Sequence, residues 1–189
     1  MPYADNYGVK IFYIDEGEGP PIVLHHGLAG THLDWIMYND YIKALKDRYR
    51  LLAIDARGRG KSDKRYAPEE HSMKHYVGDV TAVLDAAGLD KAHFWGYSMG
   101  GRVGLATGKY APDRFSSLVI GGSGLSEKDS EGEVEELKPY IRRYEEFLPI
   151  YKQGREAVTA YAKETRGEDV EGYAIERLLN ADPRALLGY

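Results

Sequence analysis

Ser98 stands in Gly96-Tyr97-Ser98-Met99-Gly100, a G-x-S-x-G spacing, after the apolar run HFWGY at 93–97 and before a helical pattern. A serine hydroxyl is a weak nucleophile by itself. It becomes useful when a sharp strand-to-helix turn holds it, strained, above a sheet and at the N-terminus of a helix. The residues two before and two after must then be small. The helix end offers backbone N–H groups and a positive dipole end, both suited to a developing oxyanion. A second glycine-bearing loop, His26-Gly27-Leu28-Ala29-Gly30, closes an earlier apolar strand. Such a loop can bring a backbone N–H beside the serine, so the expected oxyanion donors are the N–H groups of Leu28 and Met99. The chemistry in view is nucleophilic attack on a carbonyl.

Other chemistries find less support. The chain has no cysteine, which removes disulfides, thiol nucleophiles and thiolate metal sites together. His71 and His75 stand at H-x-x-x-H spacing but read as structural or exposed, and no carboxylate cluster suggests a metal. His25 and His26, at a strand end, read as structural groups, with His26 bracing its loop through hydrogen bonds. His71, His75 and His93 read as structural or exposed.

The positioning elements alternate between strand and helix. Strands are predicted at Val9–Asp15, Ile22–His26, Arg50–Asp55, His93–Tyr97 and Ser117–Gly122. One helix starts at Asp34, with Trp35, Tyr38, Ile42 and Leu45 on one apolar face. A second runs from about Ser72 to Ala87 and stops at Gly88. A third follows Ser98 to about Tyr110, with Val103, Ala106 and Tyr110 on one side. Repeated strand–helix–strand units imply an α/β fold, a mostly parallel sheet with helices on both faces.

A second region begins near residue 126. Glu133–Leu148, Arg155–Thr165 and Val170–Asn180 all read as helices, punctuated by Pro149, Gly154 and Gly167. The chain of 189 residues has a net charge of −5, and residues 126–189, with 10 basic and 15 acidic side chains, carry all of it. The expected division is therefore 1–125 and 126–189. A net-acidic chain with no basic stripe is a poor nucleic-acid binder. No apolar run spans a membrane and no secretory pattern opens the chain, so the expected location is the cytoplasm.

Three motifs in order, HGLAG at 26–30, DARGRGKSD at 55–63 and GYSMGG at 96–101, resemble the α/β-hydrolase superfamily in its esterase, lactonase and C–C hydrolase branch. The continuation RVGLATGKYAPDRFSSLVI at 102–120 resembles it too, so the likeness covers about residues 9–125. It implies an α/β-hydrolase core with a helical cap at 126–189, acting as a lid over the site. It implies acyl transfer by Ser98 with no cofactor, on a small-molecule ester or lactone. Serine at 98 disfavours the dehalogenases and epoxide hydrolases of this fold, which use aspartate there. Asp55 and Arg57 carry over as scaffold. Arg59 stands where relatives often have an aromatic residue or histidine.

One departure matters. The family order is serine, acid, histidine, and no histidine follows Ser98. Glu127 and Asp129 are candidate acids only for relatives that place the acid before the cap. The fold therefore reads as incomplete at the C-terminal side, by about two strand–helix units of roughly 30 residues each. Strand 117–122 is then expected to be an open edge, covered by a second chain that is either the missing C-terminal part or another copy. Three readings remain: a serine hydrolase represented by its N-terminal two-thirds, a non-catalytic small-ligand-binding module, and a structural fragment. The cap tyrosines and Trp35 suggest an apolar or aromatic substrate. The acidic charge of the cap disfavours an anionic one.

Overall fold

The apolar run at 22–25 forms the middle of the sheet because it has no polar face to give to solvent. In the computed structural model, which describes residues 2–38, 40–124, 130–170, 172–180 and 182–186, this run is strand β3, Pro21–His25. Numbering strands along the chain, β1 is Tyr3–Asn6, β2 Val9–Glu16, β4 Arg50–Ile54, β5 Ala92–Tyr97 and β6 Phe115–Gly121. The sheet order is β1-β2-β4-β3-β5-β6. Strands β4, β3, β5 and β6 run parallel, whereas β1 and β2 are antiparallel to their neighbours. Strand β1 was not read from the sequence. It forms a hairpin through Tyr7 and Gly8, both at positive φ (51° and 83°), the conformation a tight hairpin turn needs.

Alternate residues of β4 feed two cores. Leu52 and Ile54 pack with Val23, Phe94, Tyr76, Val80 and Val103 on one face. Leu51 and Ala53 pack with Leu24, Trp35 and Ile42 on the other. The first face is covered by α3 (Met73–Ala86) and α4 (Met99–Tyr110), the second by α1 (Asp34–Met37) and α2 (Tyr41–Leu45). Helices thus lie on both faces, as the alternating pattern requires.

Three details differ from the sequence reading. The single helix from Asp34 is two short ones, because Asp40 takes a left-handed φ of 45° and its carboxylate accepts from the Lys43 N–H. Tyr38, expected on the apolar face, is exposed. The buried side of α4 is Val103, Gly104 and Thr107 rather than Tyr110, since the Gly104 backbone lies against the Phe94 ring and Ile120.

The remaining helices are α5 (Ser130–Lys152), α6 (Arg155–Arg166), α7 (Gly172–Asn180) and α8 (Pro183–Leu186). Helix α5 continues one turn past Pro149, which was expected to end it. The proline removes one N–H close to the C-terminal end, while Phe147 holds that end by packing on the Tyr161 ring. The α7 and α8 helices are tied to the strand-bearing part of the chain. Arg177 pairs with Asp34 at 3.2 Å, the Gly60 N–H donates to the Asn180 carbonyl, and the Tyr66 hydroxyl donates to Asp182. Among the described residues no helix is long and apolar enough to cross a membrane.

Candidate active site

Strand β5 ends at Tyr97 and helix α4 starts at Met99, so one residue makes the whole turn. That residue is Ser98, at φ 54° and ψ −116°. A non-glycine residue in such a region stores on the order of 1–3 kcal/mol of strain. The turn is held from both sides: the Ser98 N–H donates to the Gly121 carbonyl at 2.8 Å, and the Arg102 N–H donates to the Ser98 carbonyl at 3.1 Å. Serine at a helix N-cap commonly caps with its own hydroxyl. Ser98 does not, and its side chain instead lines a cavity. The small neighbours are a steric requirement, because a Cβ on Gly96 would collide with the Gly100 carbonyl and one on Gly100 with the His25 carbonyl.

The 26–30 loop lies directly against this turn. A Cβ on Gly27 would sit 3.5 Å from the Ser98 Cβ. Four interactions fix the loop: His26 Nδ1 to the Gly27 carbonyl at 2.6 Å, the Ala56 N–H to His26 Nε2 at 3.0 Å, the Gly30 N–H to the Gly27 carbonyl at 3.0 Å, and Arg59 Nε to the Leu28 carbonyl at 2.9 Å. Leu28 and Ser98 both line the cavity. Met99 opens α4 with its side chain buried in the core.

His26 also lines the cavity, but it is spoken for. Its Nε2 accepts and its Nδ1 donates, which fixes the neutral tautomer and leaves no nitrogen for the serine proton. Burial, added to by His25 and opposed by Asp55, lowers its pKa to about 3. Burial likewise lowers His25 to about 4, against the hydrogen bond to the His26 carbonyl. The sequence reading of both as structural agrees with these contacts. None of the other four histidines hydrogen-bonds Ser98 either: His32 binds Asp55, His71 binds Tyr76 and Arg65, His75 binds Ser72, and His93 binds Ser117.

These depressed values have a consequence for stability. Unfolded histidines take up protons near pH 6.5, while folded His25 and His26 stay neutral until about pH 4 and about pH 3. Between those limits the unfolded state binds more protons, so the contribution is complete above pH 6.5 and is lost as pH falls. At about 1.4 kcal/mol per unit, a loss of a few kcal/mol is expected between pH 7 and pH 4. Urea midpoints at the two pH values measure it, and His25→Phe flattens the dependence; an unchanged slope contradicts the assignment.

The 55–63 loop is scaffold, as expected. Asp55 accepts from the His32 N–H, His32 Nδ1 and the Lys61 N–H. Burial alone would raise its pKa, but His32, His26 and Lys61 outweigh this and hold it below the ordinary carboxylate value. Arg57 and Asp79, both buried, form a two-pronged pair at 2.7 and 2.6 Å. His32 and the structural use of Arg59 were not visible in the sequence. The one signal for His32 was a carboxylate ending the adjacent strand.

The cavity is about 590 Å³ and is bounded by Gly27, Leu28 and Ser98 on the strand side. Trp35, Tyr38, Tyr41, Trp95 and Tyr97 make an aromatic wall, and Arg143, Tyr144 and Arg177 come from α5 and α7. Of the tyrosines of the 126–189 region, Tyr144 lines it; the Tyr140 side chain, Tyr189, Glu127 and Asp129 lie outside the described residues. Among the described residues no cluster of three metal-ligating side chains occurs.

The alpha/beta hydrolase fold family model matches residues 20–160. The chain belongs to the α/β hydrolase fold family. It is 36% identical over 110 residues to 3-oxoadipate enol-lactonase 1 of Acinetobacter baylyi, covering 58% of this chain and 40% of that protein. It is 35% identical over 126 residues to haloalkane dehalogenase 2 of Mycobacterium tuberculosis, covering 64% and 41%. The solved structure of Est816, described as an N-acyl homoserine lactone degrading enzyme, is 28% identical with a TM-score of 0.68, over 99% of this chain and 70% of that one. The matched segments span about two-fifths of these curated relatives, and the chain spans 70% of the solved enzyme. Its ancestry is that of a hydrolase, with a six-stranded mixed sheet of that fold.

Proposed function

We propose that this chain is the larger part of a serine hydrolase that cleaves a carboxylic ester or lactone through an acyl-enzyme on Ser98. The observation that carries the proposal is the strained Ser98, outside any capping role and facing a cavity, with the Gly27–Leu28 backbone against it. The dehalogenase relative breaks a carbon–halogen bond by name. The serine at position 98 favours acyl transfer instead, since displacement at a saturated carbon suits a carboxylate nucleophile.

In this reaction Ser98 Oγ attacks the carbonyl carbon and its proton passes to a histidine. The carbonyl oxygen becomes an oxyanion that accepts from the N–H groups of Leu28 and Met99. The intermediate collapses, the carbon–oxygen bond of the leaving group breaks, and the histidine protonates the departing alcohol. Water, deprotonated by the same histidine, then attacks the acyl-enzyme and releases the acid and Ser98. The histidine and its orienting acid come from residues that are not among these 189. The open edge of β6 is where they pack: among the described residues it has no partner beyond β5, and Val119 is 52% exposed in a strand whose composition suits burial. Two further strand–helix units along this edge complete the sheet and bring the histidine to Ser98. Residues 126–189 serve as the cap, with Arg177 of α7 held to Asp34.

A panel of p-nitrophenyl esters of increasing chain length tests the assembled protein. Turnover supports acyl transfer. Binding of the esters without turnover supports the alternative of a non-catalytic ligand-binding module.

A further inference from the structure

Among the described residues, the charged side chains that the 126–189 region turns toward the Ser98 cavity are arginines, although the region as a whole is acidic. A second, narrow cavity of about 90 Å³ adjoins the main one, shares Ala29, Arg143, Tyr144 and Arg177 with it, and adds Arg166. Across the described linings of both cavities there are three arginines and one carboxylate, Asp34. Asp34 is engaged by Arg177 at 3.2 Å, and Arg177 also lies over the Tyr38 ring. Arg143 sits at the junction of the two cavities and has no carboxylate partner among the described residues. Its neighbour Arg142 pairs with Glu146 on the outer side of α5 and lines neither cavity.

From this arrangement we propose that the substrate carries a carboxylate at the end remote from its scissile acyl bond, and that Arg143 binds it. Arg177 and Arg166 supply the surrounding positive field. The aromatic wall of Trp35, Tyr38 and Trp95 takes the apolar stem between the two ends. Guanidinium is suited to the role because its planar fork matches a carboxylate and stays charged at every working pH. The substrate class deepens the acyl-transfer function proposed above and rests on it, but the binding preference is measurable without turnover.

The chain's two tryptophans, Trp35 and Trp95, both line the cavity, so their fluorescence reports occupancy. The probes are 4-phenylbutanoate and the neutral 4-phenylbutanamide, of the same shape. The carboxylate is expected to bind about tenfold more tightly than the amide, the usual scale for one charge-assisted contact in a partly open site. Arg143→Gln brings the two to parity and leaves amide binding unchanged, while Arg142→Gln keeps the preference. Equal binding of the two probes, a preference that survives Arg143→Gln, or binding of neither overturns the proposal. The reaction of Ser98 in the completed protein separates the two readings. A carboxylate preference in a completed protein whose Ser98 never reacts sinks the hydrolase function alone, and a reactive Ser98 without the preference sinks the substrate class alone.

Discussion

Replacing Ser98 with alanine in the assembled enzyme is expected to lower ester turnover by at least about 10⁴-fold while leaving the fold unchanged. Removal of a nucleophilic serine in comparable machinery costs up to about 10⁶, the residue being what binding and the oxyanion donors still provide. The change is small in structural terms. Ser98 does not cap α4 with its hydroxyl, so the helix loses no cap, and alanine has to accept the same φ of 54°. Turnover and circular dichroism on the same preparation check both halves. Turnover within tenfold of the parent would remove Ser98 from the reaction.

The largest expected effect on stability falls elsewhere, at the buried Arg57–Asp79 pair. Arg57 holds both oxygens of Asp79 and the Glu70 carbonyl, which fastens the 55–63 loop to α3. Burial raises the pKa of Asp79, against the opposing effect of Arg57 and of Asn6. Arg57→Leu leaves that carboxylate buried with Asn6 as its remaining hydrogen-bond donor, a loss of about 3–5 kcal/mol. The sign with pH follows from the raised value. A carboxyl whose folded pKa lies above the unfolded one favours the folded state at low pH, and that contribution disappears as pH rises through the folded pKa. The variant is therefore less destabilised at pH 5 than at pH 8, and Arg57→Leu with Asp79→Leu recovers much of the loss. Urea unfolding of the three proteins measures this; a loss under about 1 kcal/mol at pH 8 contradicts it.

Much of the fold was legible because its signals are local. IVLH at 22–25 has no polar face, so it had to be interior, and it is one of two strands, with β5, that have parallel partners on both sides. The glycines of GYSMGG announced a turn that only small neighbours permit, and the collisions at Gly96 and Gly100 are the physical form of that rule. The parts that were not legible depend on contacts between distant segments. Nothing near Asp40 announces a left-handed residue, because aspartate there is equally at home in a helix cap or a turn. Pro149 looked like a stop, yet Phe147 and Tyr161 hold the last turn of α5 in place.

The site divides the same way. Ser98 and Leu28 come together through adjacent parallel strands, which a motif reading anticipates. Arg143 and Arg177 reach the cavity through the packing of α5 and α7, and each stands beside an exposed charge in sequence, Arg142 and Glu176, that pairs elsewhere. The summed charge of residues 126–189 does not say which side of a helix faces the cavity.

The most direct measurement is covalent labelling by a fluorophosphonate probe, with the modified residue located by peptide mass, on the 189-residue chain alone and on the same chain joined to the strand–helix units that complete its sheet. The account predicts rapid labelling at Ser98 in the completed protein, and labelling of the 189-residue chain slower by orders of magnitude for want of a histidine. A completed protein that does not label at Ser98, or a 189-residue chain that labels equally fast, would contradict it.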